Sequence, residues 1–478
     1  MVYQGPKEAP TDPKGATGQL ATWLQDLTLS QVPQSARDRA KLLILDGVGC
    51  ALVGARLPWS ATAVEVVSRI EGCGACPIIG WERTVTAPAA ALLNGTFIQG
   101  FELDDFYPGA PLHNDAIVIP SLLACSQEVG AVSGEQFLLG AIAGFEVGPR
   151  VGNALHGNQM LTRGWHSGSV FGPPASAAAA GVLLKLDASR MEDALGLAAT
   201  QSCGLMAAQY GAMCKRMHCG LAARNGLYAA FLASGGYTGV KKVFEQPYGG
   251  FLSVFGEGHS PDVSQITAGL GTRWETEKIA MKPYAAMGAL HAPLDALFDI
   301  SAKRKLVPDQ IERIDVDLTS AAYNHGWWEL KRPLTPVDAQ MNVAYALAVA
   351  TIDHAAMIQQ FSPQRINADD VWKMIPKITA HKNQAFDAAG PGGEENARVT
   401  VHFTDGSKLE EFVPISRTSS QQMTQQQVVA KFHALTDGIL PRDRQQSIID
   451  AVLGLEKLPD VSRLSALLAA NVGAVFQS

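Results

Sequence analysis

One stretch limits the folds open to this chain more than any other: FIQGFELDDFYPGAPLHNDAIVIP, from Phe97 to Pro120. An apolar run rich in Ala and Leu, Thr86 to Phe101, leads into it and reads as a helix. Glu102, Asp104 and Asp105 then stand together, and a loop with Pro108, Gly109 and Pro111 follows. His113 comes where the next apolar run begins. Charged groups between two apolar helices must be paired, hydrated or put to use, because an isolated ion in an apolar setting is costly. Helix-end charges with a capping histidine would satisfy the same pattern, so the rest of the chain has to decide.

The flanking sequence is helical on both sides. Apolar residues recur at helical spacing over Thr17–Leu27 and Ser35–Val53, and Ser60–Ile70 reads as a helix with Ser60 as its cap. Further helices are expected over Asp115–Val129, Gly134–Val151, Gly172–Lys185, Ser189–Thr200 and Gly220–Ala233, with Pro77–Gly80 as a short strand-like interruption. The character changes after Gly271. Ile311–Leu318 and Ala397–Phe403 alternate apolar and polar residues as strands do. Asp405-Gly406 signals a hairpin into Lys408–Val413. Gln340–Ile352 and the segment from Ser420 onward return to helical spacing. A mainly α fold is expected, with a smaller α+β insert in a helical body.

Composition narrows the function. Apolar residues make up 47% of the 478, enough for a large core, and the net charge of -7 is the wrong sign for a nucleic-acid binder. The opening MVYQGPKEAPTDPKGATG is polar and Pro-rich, without an apolar signal core, and no apolar run is long enough to span a membrane. A soluble, cytoplasmic protein with no membrane partner is expected, its residues 1–15 loosely attached. Seven scattered cysteines form no disulfide framework, and Cys73-Gly-Ala-Cys76 lacks the second pair a zinc site requires.

Four further stretches carry groups able to do chemistry. His166, in Gly164-Trp165-His166-Ser167-Gly168, precedes a Gly- and Ala-rich helix, where it can cap or face a cleft. In MCKRMHCGLAARNG, Lys215, Arg216, His218 and Arg224 lie in apolar surroundings near a helix start, which suits a ligand with two or three carboxylates. Lys282 and His291 fall where the helical body gives way to the mixed part, and clefts between such parts are favoured ligand sites. His325-Gly326-Trp327-Trp328 with Arg332 is aromatic and basic, and fits either a closing flap or plain packing. There is no Walker A sequence, no Gly-x-Gly-x-x-Gly after a strand, no His-Glu-x-x-His and no Gly-x-Ser-x-Gly. Acid–base work by His and Lys on an anionic substrate, with no metal and no cofactor, is the chemistry left.

These stretches resemble the MmgE/PrpD family from about Thr17 to the C-terminus, and are most similar to its fungal branch acting on cis-aconitate. The likeness rests on LILDGVGCALVGARLPWS, FIQGFELDDFYPGAPLH, GWHSGSVFGPPA, MEDALGLAATQSCGLMAAQYGAMCKRMHCGLAARNG and YGGFL. It implies a large all-helical domain built from both chain ends (16–275 and 419–478) and an α+β lid domain over 276–418. It also implies a homodimer acting on a small tricarboxylate without a metal. The family's Asp-rich motif falls on Asp104 and Asp105, its catalytic histidine on His113 and a second on His166. Its Lys-x-x-His motif falls on Lys215 and His218, and its lid lysine on Lys282. Trp327 and Trp328 stand where the animal branch carries an active-site tyrosine.

The resemblance implies decarboxylation of cis-aconitate to itaconate and carbon dioxide. Lys215 and Lys282 would form an electrostatic clamp, His113 would be the proton donor with His166 its helper, and Asp104 or Asp105 would orient a charged partner. The same residues suit a dehydratase of the 2-methylcitrate type, and, less well, an isomerase or epimerase acting on a dicarboxylate. A non-catalytic carboxylate-binding scaffold is the alternative from another class.

Overall fold

The computed structural model describes residues 2–388 and 395–476. Helices dominate its first half: α1 Ala16–Asp26, α2 Gln34–Gly54, α3 Pro58–Glu71, α4 Ala87–Ile98, α5 Asp115–Val129, α6 Gly134–Ala154, the short α7 Gly157–Thr162, α8 Ser167–Leu183, α9 Ala188–Ala199 and α10 His218–Ser234. Local signals set several starts. Thr86 accepts a hydrogen bond from the Ala89 N–H ahead of α4, and Ser133 and Gln136 form a reciprocal capping box ahead of α6. Ser60 does not cap its helix. The helix starts earlier, at Pro58, whose ring presets the first helical φ, and Ser60 is buried inside it.

Small residues let the central helices touch backbone to backbone. A Cβ on Gly220 of α10 would stand 2.2 Å from the Leu92 carbonyl of α4, and one on Gly95 would meet the Gly220 Cα at 2.7 Å. Helix α8 starts five residues before the sequence suggested, at Ser167, and runs through Pro173 and Pro174. The two prolines cannot donate to the carbonyls of Ser169 and Val170. Cys203 N–H (3.2 Å) and Ser202 Oγ (2.9 Å) satisfy those carbonyls instead.

After the short α11 Phe251–Phe255 the chain builds a four-stranded sheet, with α12 His291–Lys303, α13 Ser320–Gly326, α14 Pro336–Met341, α15 Val343–Asp353, α16 Asp369–Met374 and α17 Gln384–Asp387 around it. Two small two-stranded ribbons lie outside it: β1 Cys76–Ile78 with β2 Arg83–Val85, and β3 Asp105–Phe106 with β4 Ala280–Met281. The sheet proper has the order β6-β5-β7-β8, from β5 Ile311–Leu318, β6 Ile378–Lys382, β7 Ala397–Phe403 and β8 Lys408–Val413. Strands β5 and β6 are parallel; the other pairs are antiparallel. Strand β7 buries alternate residues, and α12 packs across β7 and β8. The Asp405-Gly406 turn joins β7 to β8, with Gly406 at φ 84°.

The chain then passes through α18 Arg417–Ser420 and returns to the helical body as α19 Gln425–Thr436, α20 Arg442–Leu453 and α21 Ser462–Ala469, with α19 against α2. The segment ahead of α1, which its composition marks as loose, lies along the body. Tyr3 N–H donates to Leu184 O, Thr11 N–H donates to Glu192, and Arg190 stacks over the Tyr3 ring. Cys76 lies in β1 and, like the other six cysteines, is free. Among the described residues no helix is long and apolar enough to cross a membrane.

Candidate active site

The site grows out of the end of α4. A short 3-10 turn, Gln99–Phe101, is followed by Glu102 in a left-handed conformation (φ 54°), which turns the chain into β3. Pairing of Asp105 with Met281 and of Phe106 with Ala280 sets the acidic loop beside Lys282. Residues far apart in sequence thus become neighbours through a ribbon only two residues long.

Asp105 and Asp104 have different tasks. Asp105 Oδ2 accepts from Asn114 N–H (2.8 Å) and Asn114 Nδ2 (2.9 Å), and Oδ1 accepts from Asp115 N–H (2.8 Å). Both oxygens are spent on the start of α5, and the residue is fully buried. Asp105 fixes the loop that delivers His113. Burial and the neighbouring Asp104 charge push its pKa up to about 7 against those hydrogen bonds. Asp104 is also fully buried, but it faces the chemistry: its Oδ2 lies 3.0 Å from His113 Nδ1 and its Oδ1 3.9 Å from Lys282 Nζ. The pair stands at ion-pair distance without hydrogen-bond geometry, so among the described residues His113 Nδ1 and both Asp104 oxygens are buried polar atoms with no hydrogen-bond partner.

Glu102 gathers the cations. Lys215 Nζ donates to Oε1, Arg216 Nη1 donates to the same oxygen at 2.6 Å, and Lys282 Nζ donates to Oε2 at 3.1 Å. Burial alone would raise the Glu102 pKa, but Lys215, Lys282 and Arg216 hold it well below the usual carboxylate range. Arg216 also donates to Gln340 Oε1 (2.6 Å), and Gln340 donates to Phe101 O and Ala285 O, tying α14 to the loop. From behind, Lys431 of α19 donates to Leu103 O and pairs with Asp46, both at 2.7 Å.

The histidines line up beside this cluster. The rings of His113 and His166 are nearly parallel with centroids 6.4 Å apart, and His166 meets His218 edge-on at 4.7 Å. His166 is the residue just before α8, and His218 opens α10. Burial, then His218, Lys215 and His113, push the His166 pKa well down, and burial with Lys215 pushes His218 to about 4. Both are neutral imidazoles at neutral pH. The Nδ1 atoms of His166 and His218 and the Oγ of Ser169 are buried without a hydrogen-bond partner among the described residues. Buried polar atoms left in this state call for a ligand or water.

His113, His166, Lys215, Lys282, Asp104 and His218 therefore converge. Arg224 does not: its guanidinium turns to Asn225. His291, its pKa lowered by burial to about 3, bridges Thr418 Oγ1 and Ala286 O as a packing group. The His325 stretch divides. His325 stands close enough to feel Lys215 and Glu102, and burial brings its pKa down to about 4. Trp328 packs on Tyr210, and Arg332 leaves for Asp369 and Trp372. Glu102 is the functional residue the sequence reading passed over. The signal was present: three buried cations need a carboxylate, and Glu102 is the acid preceding the Asp pair. Among the described residues no group of His, Cys, Asp and Glu is arranged to hold a metal ion.

Comparison with known proteins adds to this geometry. Residues 18–264 match the MmgE/PrpD N-terminal domain and residues 284–457 the MmgE/PrpD C-terminal domain. The chain is 40% identical over 477 residues to the cis-aconitate decarboxylase-like protein oryM of Aspergillus oryzae, covering 96% of this chain and 98% of that protein. It is 40% identical over 470 residues to a cis-aconitate decarboxylase of Aspergillus terreus (95% and 96%). With the cis-aconitate decarboxylase of Homo sapiens it shares 27% identity over 470 residues (95% of each).

Proposed function

The chain belongs to the MmgE/PrpD family, and we propose that it decarboxylates cis-aconitate to itaconate and carbon dioxide. One observation carries the reading. Two buried ammonium groups and a carboxylate-paired imidazole form one connected network, Lys215–Glu102–Lys282–Asp104–His113. Relatives that match 95% of the chain bear the name of that activity.

In cis-aconitate one carboxylate sits on a CH2 next to the double bond. When its C–C bond breaks, the electron pair becomes a new double bond and carbon dioxide leaves. The old π pair moves to the carbon that bears a terminal carboxylate, and that carbon takes a proton. Lys215 and Lys282 hold the two carboxylates that stay, where negative charge builds up in the transition state. His113 gives the proton, its ring held by Asp104. His166 and His218, neutral at neutral pH, are unsuited to donate as imidazolium ions and serve as hydrogen-bonding walls. Water recharges His113 after the product leaves.

In this reading residues 276–418 form the lid and Lys282 rides at its root. The working unit is a homodimer. Among the described residues, ten of the fourteen exposed large apolar side chains fall between Leu205 and Val263, Tyr228 and Leu232 of α10 among them. Sedimentation of the Tyr228→Glu/Leu232→Glu variant checks the dimer, with a monomer as the expected result. The activity is checked by giving the purified protein cis-aconitate and measuring carbon dioxide and itaconate. Water loss from 2-methylcitrate with no carbon dioxide from cis-aconitate would overturn it.

A further inference from the structure

Glu102 has no part in the steps above, yet it is the most heavily paired carboxylate of the site. It is 2% exposed and takes three cations on two oxygens. Among the described residues no other carboxylate reaches those cations at hydrogen-bonding distance. Lys282 approaches Asp104 only to 3.9 Å, and the other contacts of Arg216 are Gln340 Oε1 (2.6 Å) and Gln99 O (3.5 Å). The left-handed backbone at Glu102 (φ 54°) is a conformation that side chains other than glycine adopt only when the surroundings enforce it.

Resting on the decarboxylase reading, we propose that Glu102 is the positioning residue that keeps Lys215 charged and aims both Lys215 and Lys282 at the substrate's carboxylates. Without it, Lys215, Lys282 and Arg216 would face one another in a buried space with no anion between them. Such a group relieves itself by losing a proton. Arginine holds its proton, so a lysine gives way. Lys215 is the one, because burial and Arg216 already draw its pKa down while Glu102 props it up. The ionisable groups around it are Glu102, Arg216 and Lys282, with His166, His218 and His325 within its field. All three histidines have lowered pKa values, so none replaces the lost anion or adds a cation at neutral pH.

The test compares wild type, Glu102→Gln and Glu102→Asp across pH. Two quantities are read: kcat/KM on cis-aconitate, and calorimetric binding of tricarballylate, a saturated tricarboxylate that cannot undergo the reaction. In Glu102→Gln the alkaline limb of both is expected about one to three pH units lower, the size of one lost charge contact. Binding above that limb weakens at least about tenfold and recovers on acidification. Glu102→Asp keeps the charge but withdraws it by one methylene, and shifts the limb the same way by less, which keeps the test alive if the glutamine variant does not fold. A limb unmoved in both variants, or a rate lowered equally at every pH, overturns the proposal. If wild type binds tricarballylate but releases no carbon dioxide from cis-aconitate, the decarboxylase reading falls. The role of Glu102 is then decided by the binding limb alone.

Discussion

Glu102 and Asp105 are three residues apart in one loop, and both are buried. Their acidities nevertheless move in opposite directions: three cations hold Glu102 well below the usual range, whereas Asp105, with amide partners only, rises to about 7. Burial is common to both, so the neighbours decide: cations surround Glu102, whereas the Asp104 charge beside Asp105 adds to the rise. A backbone N–H or an amide supplies part of a charge and a cation supplies a whole one. The loop therefore carries one carboxylate that organises cations and one that organises backbone.

The largest effect tests the chemical side of that contrast. His113→Ala is expected to lower kcat on cis-aconitate by about 10²–10⁴-fold while far-UV circular dichroism stays native. A folded variant with near-wild-type turnover would break the assignment. Lys282→Met comes next. It removes one cation from Glu102 and, in the proposed reaction, one from the substrate, so kcat/KM should fall about 10²–10³-fold. Urea unfolding should show a loss of about 1–3 kcal/mol, since Lys215 and Arg216 still compensate Glu102.

Asp105→Asn sharpens the structural side. Because the Asp105 pKa is raised in the fold, the native state holds its proton longer than the unfolded chain does. This residue therefore lowers stability as pH rises from about 4 to about 7, and contributes no such slope below the unfolded carboxylate pKa. Thermal unfolding of Asp105→Asn should be flatter across that window than that of wild type. At low pH, where both side chains are neutral, the variant should be weaker by about 1–3 kcal/mol, because the amide NH2 has no lone pair for an α5 N–H, whereas the hydroxyl oxygen of the protonated carboxyl can still accept. The smallest effect is expected at Arg332→Ala. Its partners are Asp369, the Asn367 carbonyl and Trp372, outside the cation cluster, so stability should change within about 0.5 kcal/mol and kcat/KM should hold.

Much of this was legible in the sequence, for identifiable reasons. Helices α5, α9 and α10 and strands β5, β7 and β8 follow from period and turn signals, which are local. The convergence of His113, His166, Lys215 and Lys282 was implied by motif likeness, and the two-residue β3–β4 ribbon that joins the loop to Lys282 has no sequence signature at all. The early start of α8 was hidden by Pro173 and Pro174, which read as a boundary until Ser202 and Cys203 are seen to satisfy the freed carbonyls. Asp104 and Asp105 were left as alternatives because adjacent aspartates look alike in a motif. Only the position of the α5 N-terminus tells them apart. Glu102 was passed over because its partners lie 113 to 180 residues away.

If His113 delivers a proton to one face of a carbanion held by two lysines, the isotope it takes from solvent must land on that face. The protein is run on cis-aconitate in heavy water and the product is read by proton and deuterium NMR. Itaconate should carry one deuteron in a single stereochemical position on its saturated methylene. Deuterium scrambled over both faces of that carbon, or absent from it, would contradict a positioned acid.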